Sequence, residues 1–161
     1  VALSEFRALS ARDLEGRAFP FSQLGGKVVL MLNVVPTAKT RLSHYTELKE
    51  MHARYAPRGL EIVAFLCENR NRKEPGDPAE IRRHWGRSAT GFRVVEGASM
   101  SPPDEHSVYG LLKQGGQPAR WNFYSKFLVA CGGERCSIRI FDGVTAEALS
   151  ADIEDALAEA E

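Results

Sequence analysis

KVVLMLNVVPTAKTRLSHYTELKEMHARYAPRGLEIVAFLC, residues 27–67, is the stretch whose reading decides the fold. Its first nine residues form a nearly unbroken apolar run of strand length, as expected for a strand covered on both faces. Ser43 is then expected to cap a helix, because Tyr45, Leu48, Met51, His52 and Tyr55 recur at three- and four-residue spacing. Pro57 and Gly59 end that helix, and residues 60–67 read as a second buried strand. Strand, helix, strand within about 40 residues predicts a right-handed parallel crossover. The loop from Pro36 to Arg41 then follows a strand's C-terminal end, where α/β folds commonly keep their chemistry.

Outward from this unit, LSARDLEGRAFPFSQL (residues 9–24) has the alternation of a hairpin turning around Leu14-Glu15-Gly16. Asp77, Pro78 and Glu80 occupy the N-cap, first and third positions of an expected helix. Residues 91–95 read as a third strand and 102–114 as a short helix. Residues 127–141 read as a hairpin turning near Gly132-Gly133, and 145–160 as a closing helix. The pattern predicts an α/β fold, a small mixed sheet with helices on both sides, in one domain over residues 1–161.

Composition narrows the class. With 43 % hydrophobic and 26 % charged residues the chain resembles an ordinary soluble domain. It has no apolar run near the roughly 20 residues that span a bilayer. The zero net charge gives no indication of nucleic-acid binding. The charge is nevertheless uneven: every Lys and Arg lies at or before Arg139, and residues 140–161 carry 7 acids and no base. A solvated acidic helix face accounts for that tail more simply than an anionic docking element. Three cysteines, Cys67, Cys131 and Cys136, are too few for a disulfide-built scaffold, so a reducing compartment is expected. The chain opens at Val1, and a removed leader with an intracellular, mitochondrial destination is the expectation that prompts.

Several ordered motifs together resemble the glutathione peroxidase family: PFSQLGGKVVLMLNVV, HYTEL, LEIVAFLC, EPG, EHSVYGLL, and WNF followed by KFLV. The resemblance runs over nearly the whole chain and implies a thioredoxin-like fold, a central mixed sheet flanked by helices with an added N-terminal β-hairpin. Active members reduce hydroperoxides with a cysteine or selenocysteine in a motif like N-V-A-S-x-C-G. Anchoring on Asn33-Val34 and Tyr45 puts Ala38 at that nucleophile position. The family surrounds the nucleophile with a Gln, a Trp and an Asn. Here the resemblance puts Asn69 at the Gln position, one methylene shorter, and keeps Trp121 and Asn122. Thr37 and Lys39 replace the small flanking residues, and no cysteine stands at the resolving position near EIRRHW.

Cys67 matches a cysteine common in the family near the end of the second strand. It is a candidate displaced nucleophile, although a free strand cysteine is more commonly a small buried hydrophobe. Cys131 and Cys136 flank GGER, where a hairpin would let them face each other. Lys39, Arg41, Arg70, Arg72, Lys73 and Arg120 fall in loops that the resemblance gathers at the old pocket mouth. They form a candidate basic rim or, equally well, ordinary solvated loop charge. His44, His52, His84 and His106 show no metal-ligand spacing, and no metal or cofactor is expected.

The leading expectation is a catalytically inactive family member serving as a structural or interaction subunit, with other protein subunits as partners. The alternatives are a divergent thiol peroxidase running on Cys67 or Cys131/Cys136, and an anion- or glutathione-binding module.

Overall fold

The structure, a computed structural model, describes residues 2–34, 41–66, 91–95, 125–142, 145 and 147–160. The expected helices beginning at Pro78 and spanning 102–114 lie outside the described residues.

The chain starts with a short helix α1 (Leu3–Arg7), which leads into the antiparallel hairpin of β1 (Ser10–Arg12) and β2 (Ala18–Pro20). Asp13 organises the hairpin turn: its Oδ1 accepts the backbone N–H groups of Glu15 and Arg17 at 3.0 and 2.9 Å. A 3₁₀ turn (Phe21–Leu24) then delivers the chain to β3 (Val28–Val34). Next come α2 (Arg41–Tyr55), β4 (Leu60–Leu66), β5 (Arg93–Val95), β6 (Ser125–Gly132), β7 (Arg135–Asp142) and α3 (Ser150–Ala160).

The five-stranded sheet has the order β5-β4-β3-β6-β7. β3 and β4 pair in parallel with Leu30 opposite Ile62, and β4 pairs in parallel with β5. β6 runs antiparallel to β3, with Leu30 opposite Leu128. The parallel β3-α2-β4 unit is the one the 27–67 stretch predicts, and the mixed sheet is the one the pattern of the whole chain predicts.

The continuous apolar run of β3 follows from its central place. Val29 and Met31 pack with Phe6, Phe19, Phe21, Val63, Phe65 and Phe127 on one face of the sheet. Val28, Leu30 and Leu32 pack on the other face with Leu48, Met51 and Tyr55 of α2 and Ile153 and Leu157 of α3. Phe21, Phe65 and Phe127 are fully buried, each contributing about 1.5–3 kcal/mol relative to exposure. Among the described residues, the first face is closed by α1, the N-terminal hairpin and the 3₁₀ turn, and the second by α2 and α3.

Three boundaries depart from expectation. α2 begins at Arg41, so Ser43 is its third residue and not its cap. The β6-β7 hairpin turns at Gly133-Glu134, one residue later than expected, with Gly133 at φ 61° where a two-residue loop needs a left-handed residue. α1 was not anticipated: five residues are too few to show periodicity, and its packing rests on the buried Phe6.

Candidate functional site

Elements bring three chain ends to one edge of the sheet. β3 and β4 are parallel and in register up to Val34 opposite Leu66, so both strands finish side by side. β6 is antiparallel to β3 with Lys126 opposite Leu32, so its first residue, Ser125, starts at that same edge.

Most site residues named from the sequence fall outside the described residues: Ala38, Asn69, Trp121, Asn122 and Cys67, with Lys39, Arg70, Arg72, Lys73 and Arg120 of the proposed basic rim. Arg41 is the first residue of α2.

Beside that edge the structure holds a buried cation that sequence reading passed over. Lys126 is 1 % exposed on β6, on the sheet face that carries Leu128 and α2. Burial pulls its ammonium below the ordinary 10.5, and the charge of Glu47 on α2 opposes that shift. The signal was present in the alternation of Lys126 with Leu128, which puts a charge at an inward position.

A second polar pair spans α2 and β4. The carboxylate of Glu61, 3 % exposed, lies 3.1 Å from His52 Nε2 and accepts the Ile62 N–H at 3.0 Å. The His52 ring also meets Phe92 edge-on at 6.2 Å. These two hydrogen-bonding contacts to Glu61 Oε1 are what make burial of the carboxylate tolerable. His52 was read as one of the apolar positions of α2, whereas it is the polar partner of a strand carboxylate. No cluster of three metal-binding side chains occurs among the described residues.

Cys131 and Cys136 are joined by a disulfide across β6 and β7. Gly132 and Arg135 close the two-residue turn. The next pair outward is therefore of the non-hydrogen-bonded kind, in which opposed residues approach most closely. Their Cα atoms are 3.9 Å apart. Cys136 is 3 % exposed within the core, while Cys131 is partly exposed and packs against the core's outer side. A cavity of about 210 Å³ opens beside Cys131, between α1, the 3₁₀ turn and the hairpin tip.

A mixed sheet with a parallel β-α-β unit, an antiparallel pair on its far side and an N-terminal hairpin defines a thioredoxin-like domain. The crystal structure of Trgpx in its apo form matches it with a TM-score of 0.72 over 96 % of both chains, at 21 % identity. The glutathione peroxidase family model matches residues 6–113. The chain is 32 % identical to the glutathione peroxidase-like peroxiredoxin GPX5 of Chlamydomonas reinhardtii over 163 residues, covering 98 % of this chain and 99 % of that one. It is 34 % identical to the glutathione peroxidase-like peroxiredoxin HYR1 of Saccharomyces cerevisiae over 134 residues, covering 79 % and 81 %. The chain belongs to the glutathione peroxidase family.

Proposed function

We propose that this chain has given up the hydroperoxide chemistry of its family and acts as a structural or interaction subunit of a larger assembly. The observation that carries the reading is Ala38. Peroxide reduction needs a polarisable, deprotonated chalcogen to attack the O–O bond, and a methyl group has no electron pair to give. The common edge of the strand ends is compatible in chain length with such a site. Ala38 follows Val34 by four residues, Asn69 follows Leu66 by three, and Asn122 precedes Ser125 by three. The intervening three or four residues of chain can span at most roughly 10–14 Å from those strand ends. The bases at Lys39, Arg41, Arg70, Arg72, Lys73 and Arg120 would give such a module a positive face for an acidic protein partner. Affinity purification from the native source, with mass spectrometry of the co-eluting proteins, tests the reading. It expects fixed stoichiometry with other subunits, and a chain that elutes alone as a monomer contradicts it.

A second reading, a divergent thiol peroxidase using Cys67 or the Cys131/Cys136 pair, draws support from the relatives at 32 % and 34 % identity, both named as peroxiredoxins. Alkylation of Cys67 near neutral pH separates the two. A thiol reacting much faster than an ordinary cysteine favours the peroxidase, and an inert one favours the subunit.

A further inference from the structure

We propose that the Cys131–Cys136 disulfide is a thiol-exchange site, and that the cavity beside it admits a low-molecular-weight thiol carrying a carboxylate. The inference is independent of the lost peroxide chemistry, since it uses neither Ala38 nor its surroundings.

Access decides which sulfur is attacked. Cys131 is partly exposed and lines the cavity, whereas Cys136 belongs to the buried core. Exchange requires a thiolate to reach one sulfur of the bridge, and here the cavity leads to Cys131. The walls are largely apolar, from Leu3 and Phe6 of α1 and Phe21 and Leu24 of the 3₁₀ turn. The charged side chain lining the cavity is that of Arg7, whose Nη2 lies 3.5 Å from where a Cβ on Gly25 would sit. An exposed guanidinium over the mouth attracts a carboxylate and the thiolate itself, and repels a cationic thiol. A volume of about 210 Å³ takes a small thiol and leaves no room for a folded partner.

In the exchange step the incoming thiolate forms a bond to Cys131 Sγ. The Cys131–Cys136 bond breaks, its electron pair goes to Cys136 Sγ, and that thiolate takes up one proton from solvent. The product is a mixed disulfide at Cys131 and a free thiol at Cys136. Attack by Cys136 on Cys131 Sγ reverses the step and expels the small thiol, so the fraction of hairpin held as the mixed disulfide follows the concentration of that thiol. The amide of Leu3 donates to the Glu134 carbonyl at 2.8 Å, which ties α1 to the tip of the same hairpin.

The test incubates the oxidised protein with thioglycolate, 2-mercaptoethanol or cysteamine, quenches with N-ethylmaleimide and maps the peptides by mass spectrometry. The expected products are a thioglycolate adduct on Cys131 and maleimide on Cys136. After correction for thiol pKa, the rates should fall in the order anionic, neutral, cationic. Arg7→Gln, an exposed substitution whose folding circular dichroism checks, should slow thioglycolate about two- to fivefold and 2-mercaptoethanol, whose thiolate carries the single charge, by less. The proposal is overturned by adducts on Cys136, by exchange only after unfolding, or by the same rate order and ratios in Arg7→Gln.

Discussion

Lys126 shows how a single residue ties the core to pH. Its side chain is buried on β6, and that burial holds its pKa below 10.5 against the opposing charge of Glu47. The folded state therefore binds fewer protons than the unfolded state between that lowered value and 10.5, so the stability of the protein rises with pH through that window. Below the lowered value the full cost of burying the charge is present. Lys126→Met removes the titration, so urea melts should show wild type gaining on the variant as pH rises toward 10.5. A difference that stays flat with pH contradicts the assignment. On the proposed reading, with Ala38 at the nucleophile position, Ala38→Cys alone should leave turnover at least on the order of 10²–10³-fold below active relatives. The resemblance puts Asn69, one methylene shorter, at the family's Gln position, and one misplaced donor at a developing anion costs about that much. A triple variant that also carries Lys39→Gly and Asn69→Gln should exceed the single one. An Ala38→Cys protein running at ordinary family rates in a coupled hydroperoxide assay would show that the other changes are neutral.

Among the elements, the turn from α2 into β4 depends on Gly59, which holds φ 109° after the 3₁₀ residues Ala56–Arg58. A Cβ there would meet Leu157 Cδ2 at an ordinary 3.9 Å, so the penalty of Gly59→Ala is one of backbone conformation. It should cost about 1–2 kcal/mol and lower the melting temperature by roughly 2–8 °C. Gly132→Ala, outside the left-handed region and facing open space, should melt close to wild type in the same scan. The pattern of elements was legible where period and punctuation agreed. The two-sided apolar run of β3, the Leu48-Met51-Tyr55 stripe and the Pro57-Gly59 stop all report physical demands that single residues express. The register of the hairpin turn was less so, because Gly132 and Gly133 both suit a turn and only strand pairing decides between them. The same register joins Cys131 to Cys136. That pairing is the one the hairpin around GGER allows, and strand register decides it. The His52–Glu61 contact was hidden for a related reason: it depends on how α2 lies over β4, which neither segment encodes alone.

At the scale of the whole molecule, the acidic terminal helix is tied into the fold. Ile153, Ala156 and Leu157 of α3 are buried against the sheet, and Glu154 and Asp152 meet Arg58 and Arg139. Those pairs are substantially exposed and contribute little, so apolar burial is what holds α3 in place. No helix among the described residues is long and apolar enough to cross a membrane. The candidate site was legible only through the family's motifs. Its residues sit on segments beyond the strand ends, and periodicity carries no information about loop chemistry. The strand ends converge on one edge, which is where such a site belongs in a thioredoxin-like sheet. The most direct test of the central claim is hydroperoxide consumption by the purified chain, supplied in turn with glutathione and with thioredoxin and freed of contaminating enzymes. The account predicts a rate indistinguishable from that of a variant lacking all three cysteines, and sustained turnover above that baseline would contradict it.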